Sequence, residues 1–175
     1  MKRFRLILIL IIIVIVLLVI LSSTIFYFNY YIYKLDYLDI AEEYATFYDV
    51  DIELVMAIIM VESSFQSKTL SAVGAVGLMQ IMPSTASYIM EEDVMQEQLY
   101  EPRYNILVGV KYLAYLYDRF EDTEWVIVAY NAGETITAKW IDEKISASNI
   151  PYNETKNYLP KVLKAMSRYE KIYDL

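Results

Sequence analysis

Polar and apolar positions change texture twice along the chain. Residues 6–21 read LILILIIIVIVLLVIL, without one polar side chain. Continued through Ser22 to Phe28, the stretch reaches 23 residues, and about 20 suffice to span a bilayer. Amphipathic segments follow. In residues 34–48, KLDYLDIAEEYATFY, the side chains Leu35, Leu38, Ala41, Ala45 and Tyr48 share one helical face. Asp51 is placed to cap the next segment, and Glu53 sits favourably in its first turn. From Leu54 to Val61 eight apolar residues run unbroken and end on Glu62. The Ile and Val content suits a buried strand, but the cap, the Met and Ala residues and the length favour a helix. A helix apolar on all sides belongs at the centre of a domain. Residues 105–120 carry an Asn105 cap and a helical apolar period. Residues 123–133 start on a Thr123 cap and stop at Gly133 in the left-handed region. Residues 135–145 predict a further short helix. After Asn153 comes a last helical pattern, which Pro160 is expected to break or restart because it lacks a backbone donor.

Two of the four glycines, Gly74 and Gly77, fall in SAVGAVGLMQIMPSTA, residues 71–86. Glycine serves where backbones turn or approach closely. A tight loop or small hairpin is predicted here beside the Glu62 helix, ending where Pro83 opens another helix. Together the patterns predict a mainly α domain preceded by one apolar spanning helix. No tandem repeat or low-complexity segment is present.

Composition narrows the chemistry. The chain has no cysteine and no histidine, which excludes disulfides, thiolate nucleophiles and the Ser-His-Asp and Cys-His mechanisms. Acid–base work is left to Asp, Glu, Tyr or Lys. Beyond residue 5 there are 12 basic and 23 acidic residues, a balance of −11, so nucleic acid is a poor partner. A neutral glycan is compatible with that surface. Lys2, Arg3 and Arg5 precede the apolar stretch, while Asp36, Asp39, Glu42 and Glu43 follow it, which orients the N-terminus to the cytoplasm. Tyr27, Tyr30, Tyr31 and Tyr33 fit an interfacial aromatic belt. The rival reading is a cleaved signal peptide, but the apolar region is long for one and lacks a small-residue cleavage site. No lipoprotein anchor is possible without a cysteine.

Glu62 ends an oily segment, where a carboxylate is either a snorkelling surface group or a tuned acid. Desolvation and the negative end of the helix dipole both raise its pKa, as a general acid requires. Most tyrosines, with Trp125 and Trp140, read as core. Asp118, Glu121, Asp122 and Glu124 read as a solvated acidic edge.

The order ESSF, then SAVGAVGLMQIMPSTA, then EPRYNILVGVKYL (101–113), then AYNAG, then ETKNY resembles the lytic transglycosylase catalytic domain from about Ile40 to Tyr169. This is the soluble lytic transglycosylase-like group of glycoside hydrolase family 23, related to goose-type lysozyme. Val61 and Val128 depart mildly from its pattern. The resemblance implies a lysozyme-like helical domain acting on bacterial peptidoglycan, without metal or cofactor. It implies that Glu62 is the single catalytic acid and base. Ser71, Gln80 and Met82 match cleft-lining positions, Gln80 with an amide suited to an N-acetyl group and Met82 as an apolar wall. Tyr130 matches the tyrosine whose hydroxyl reaches the catalytic carboxylate, and Glu154 and Tyr158 match a further groove element. The expected layout is a cytoplasmic tip and anchor over 1–28, a linker over 29–34 and a catalytic domain over 35–175 outside the membrane. The expected product is a 1,6-anhydro-muramic end. A lysozyme-type hydrolase and a silent wall-binding module are the alternatives.

Overall fold

A computed structural model describes residues 2–173. Met1, Asp174 and Leu175, which the expected layout includes, lie outside the described residues. The chain divides into two compact units, Met1–Lys34 and Leu35–Leu175.

The first unit is one helix, α1 (Lys2–Ile32). Its apolar side chains from Phe4 to Tyr27 are exposed on every side. Thirty-one residues rise ~46 Å, more than the ~30 Å hydrocarbon core of a bilayer. The helix therefore runs into the stretch expected as linker. Two of its hydroxyls are satisfied within the helix: Ser22 donates to the Val19 carbonyl at 2.9 Å and Thr24 to that of Ile20 at 2.8 Å. That suits an apolar solvent, where no water would serve them.

The second unit is helical, with α2 (Leu38–Tyr48), α3 (Ile52–Ser63), α4 (Pro83–Met90), α5 (Pro102–Phe120), α6 (Thr123–Ala132), α7 (Glu134–Asp142) and α8 (Asn153–Tyr173). Helix α3 is its axis. Every residue from Leu54 to Ile59 is buried, and α3 packs along α8 on one side and α2 on the other. The all-apolar run is thus a central helix, as its composition predicts. Helix α5 joins α2, α4 and α6, and α6 reaches α8. Between α3 and α4 lies the glycine-bearing segment. It forms a small antiparallel element through two isolated bridges, Leu70 with Val76 and Val76 with Ile81. Pro83 opens α4 at its first turn, where a missing donor costs nothing.

Several local expectations are corrected. Asn105 does not cap α5; the helix starts at Pro102 and the Glu101 carboxylate caps it by accepting from the Tyr104 N–H at 2.6 Å. Asp122, not Thr123, caps α6, accepting from the Trp125 N–H at 3.1 Å. Gly133 has φ 89 and ψ 148, an extended mirror conformation rather than a left-handed helical stop, and leads directly into α7. Pro160 lies inside α8 without ending it. The proline faces solvent, while its neighbours Tyr158, Leu159 and Val162 are buried. Burial of that face against α3 and α6 outweighs one lost backbone bond. Asp51 does occupy the cap position of α3, but its side chain makes no capping bond.

Candidate active site

Glu62 stands in the last turn of α3, half-buried, one residue before the buried Ser63. Its carboxylate accepts a 2.6 Å hydrogen bond from the Tyr158 hydroxyl of α8, 96 residues away in sequence. Burial pushes the Glu62 pKa up, the Tyr158 bond pulls it down, and the charge of Glu154 pushes it up again, leaving it at about 7. An acid in that range gives and recovers a proton near neutrality, which is what general catalysis needs.

The phenols around it stay protonated. Burial, then the charge of Glu62, raises both Tyr130 and Tyr158 well above the ordinary tyrosine range. Their hydroxyls take different partners. Tyr130 donates to the Met79 carbonyl at 2.8 Å, and Tyr158 holds Glu62. The bond expected for Tyr130 is therefore made by Tyr158. The resemblance brought only Tyr130 to the carboxylate and put Tyr158 in a further groove element; which hydroxyl reaches Glu62 depends on how α8 docks.

The loop between α3 and α4 is joined to this cluster through the Met79 carbonyl that Tyr130 holds. Ser71 folds the hairpin tip, accepting at its Oγ from the Ala75 N–H at 2.9 Å. Gln80 has φ 48, the left-handed region that a side chain disfavours. Its Nε2 donates to the Gly77 carbonyl at 2.9 Å and that of Thr69 at 3.3 Å. Of the amide donors and acceptor expected to serve an N-acetyl group, the nitrogen is thus turned into the loop. Met82 caps α4 without a side-chain bond, and its methyl lies 4.0 Å from where a Cβ on Gly74 would be. Gly77 has φ 79 and no room for a Cβ, which would overlap the Asn105 carboxamide and the Leu99 carbonyl.

Glu154 is exposed at the start of α8. The next residue ties that helix to α6: the buried Thr155 hydroxyl donates to Asn131 Oδ1 at 2.7 Å. Two motif segments are thereby stapled together. Helical spacing then puts Tyr158 on the same face of α8 as Glu154 and Thr155.

A groove of about 540 Å³ opens nearby, lined by Tyr88, Tyr112, Tyr115, Gly133, Glu134 and Lys139 among others. Glu62 is not part of its wall. Tyr112 links the two places, with its ring centroid 5.3 Å from that of Tyr130. At the groove, the Tyr115 hydroxyl donates to Glu134 at 2.6 Å and Arg119 pairs with the same carboxylate at 3.3 Å. The sequence reading missed this aromatic wall. The signal was present as Tyr112 and Tyr115, spaced one helical turn apart.

The raised pKa of Glu62 carries a stability consequence. Its ordinary value is 4.5 and its folded value about 7, so across that window the folded protein keeps a proton that the unfolded chain has released. The stabilisation is full below 4.5 and is lost as the pH rises through 7. Glu62→Gln removes the penalty of a buried charge. It is expected to stabilise the protein at pH 8 by up to ~3 kcal/mol, and to do nothing comparable at pH 4. Urea unfolding at both pH values measures the gap. An equal gap at both would contradict the buried carboxylate.

Comparison with known proteins shows the family and the fold. The sequence profile described as "Transglycosylase SLT domain" matches residues 39–153. The soluble lytic murein transglycosylase of Salmonella typhimurium is 35% identical over 144 residues, covering 75% of this chain and 22% of its own. A membrane-bound lytic murein transglycosylase C from Haemophilus ducreyi is 31% identical over 165 residues, covering 76% of this chain and 45% of its own. The chain thus spans about a fifth of the first relative and under half of the second. The crystal structure of the 70 kDa soluble lytic transglycosylase of Escherichia coli superposes with a TM-score of 0.76 at 31% identity, over 81% of this chain and 25% of that one. The lysozyme-like helical fold is therefore that of the soluble lytic transglycosylases. With a matched profile that takes in Glu62, the hairpin wall and the Tyr130 helix, and stops as α8 begins, the chain belongs to the transglycosylase SLT domain family.

Proposed function

We propose that this protein is a membrane-anchored lytic transglycosylase of the cell wall. It cleaves the β-1,4 bond between N-acetylmuramic acid and N-acetylglucosamine without water. The observation that carries the reading is the single carboxylate Glu62, raised to about 7 and held at 2.6 Å by a buried phenol. The protonated carboxyl gives its proton to the glycosidic oxygen, and the substrate's N-acetyl group stabilises the developing cation. The resulting carboxylate, steadied by Tyr158, then takes the proton of the muramic 6-hydroxyl, which closes a 1,6-anhydro ring. The nucleophile is already attached to the substrate, so the ring closure gains the effective molarity of a held reactant. Ser71, Gln80, Met82 and Tyr130 shape the cleft around the sugar, and the tyrosines of the neighbouring groove offer faces on which further sugars stack.

One observation favours a second reading. Glu154 is close enough to raise the pKa of Glu62, and an inverting hydrolase uses a second carboxylate about 6.5–9.5 Å from its acid. The products separate the two. Peptidoglycan digested by the protein and then treated with borohydride is expected to yield fragments that resist reduction and are lighter by one water. Reducible, water-added ends would replace the transglycosylase with a muramidase.

The anchor reading rests on α1, on its flanking charges and on the name of the membrane-bound relative. The N-terminus faces the cytoplasm and the domain from Leu35 onward faces the wall. External protease is expected to digest that domain on intact protoplasts. Degradation confined to lysed cells would reverse the topology, and a mature chain beginning near residue 25 would mark a cleaved signal instead.

A further inference from the structure

We propose that Asn105 is a positioning residue for the sugar-facing loop and acts through Gln80; this inference rests on the transglycosylase reading of the cleft. Asn105 is fully buried in the first turn of α5. Its carboxamide makes three bonds to the main chain of other segments. Oδ1 accepts from the Met79 N–H at 2.8 Å, and Nδ2 donates to the carbonyls of Val76 and Leu99, each at 2.9 Å. One N–H and two carbonyls admit a single orientation of the amide.

Met79 is gripped from its other end as well, because its carbonyl accepts the Tyr130 hydroxyl at 2.8 Å. Side chains from α5 and α6 therefore hold both peptide groups that flank Met79. The second of these leads into Gln80, the residue with φ 48. A side chain stays in that region when its surroundings over-determine it, and the Asn105–Tyr130 clamp supplies the constraint. Gly109, one turn further along α5, completes the seat: a Cβ there would overlap the sulfur of Met79.

The consequence is chemical. With Nε2 of Gln80 spent on the Gly77 and Thr69 carbonyls, its Oε1 is the end left for a donor such as a sugar N-acetyl N–H or hydroxyl. Asn105 touches neither that oxygen nor Glu62. It fixes where the acceptor points.

The test is a double-mutant cycle on the full-length protein in detergent, with kcat and KM measured on peptidoglycan fragments. Asn105→Ala is expected to lower kcat/KM by up to ~100-fold, the scale of a 1 Å misplacement, and to leave the pH midpoint unmoved. Combined with Gln80→Ala, it should cost no more than Gln80→Ala alone. Additive losses, a displaced pH midpoint, or a lower melting temperature with unchanged kcat/KM would each overturn the role. If Asn105→Ala fails to fold, Gly109→Ala pushes on the side chain of the same Met79, and its cycle with Gln80→Ala decides. Binding of a chitin tetrasaccharide, followed by calorimetry, carries the same cycle without turnover. A wild-type protein that binds the oligosaccharide but leaves peptidoglycan uncut refutes the proposed activity alone. Turnover with additive variants refutes only the positioning role.

Discussion

Glu62→Gln is expected to lower peptidoglycan turnover by ~10⁴-fold, the upper end of what general acid–base catalysis contributes. The upper end is argued from the residue acting twice, first as acid and then as base. The amide keeps the volume of the side chain and still accepts from Tyr158, so binding of glycan should survive. A fall in kcat with little change in affinity is the signature. Muropeptide release from purified sacculi measures the first, and sedimentation of the protein with intact sacculi measures the second. Near wild-type release would remove Glu62 from the reaction. The same variant is expected to be the more stable protein at pH 8, so the loss cannot be blamed on unfolding.

Tyr158→Phe is expected to have the second largest effect, ~10–100-fold on kcat/KM. A hydrogen bond to a charged group contributes ~1.5–3 kcal/mol, and this one is 2.6 Å long. Its sign on the pH profile is fixed. The phenol steadies the ionised form of Glu62, so it holds the pKa below the value burial alone would give. Without it the carboxyl titrates above 7, and the alkaline limb of the rate profile moves to higher pH. Tyr130→Phe provides the contrast. Its hydroxyl serves the Met79 carbonyl, so that limb should hardly move. If the two variants shift the limb equally, the assignment of the two phenols is wrong.

What the sequence made legible was whatever depends on local pattern. The apolar run of α3 could only be central, and a carboxylate at its end had to meet either water or a tuned site. The glycine pair announced the hairpin, because no other residue fits where Gly77 passes Asn105. What it hid depends on distant packing. Asn105 opens an apolar period and so looks like a cap, yet Pro102 starts the helix three residues earlier and frees the amide for the interior. Gln80 could be singled out by its motif, but its amide direction follows from the strained backbone beneath it. Pro160 reads as a break until α8 is seen pressed against α3.

The bond between Glu62 and Tyr158 also sets an order of events. Its partners lie 96 residues apart, and contacts of such separation form late, after the loop entropy between them has been overcome. During synthesis the helix bearing Glu62 emerges long before α8 exists to cover it. The nascent chain therefore carries an acid without its phenol and an apolar helix without its largest neighbour. The acid gains its phenol and the core its cover in the same step, when α8 docks. A chain cut short before residue 153 should accordingly be aggregation-prone and, on the transglycosylase reading, inert together.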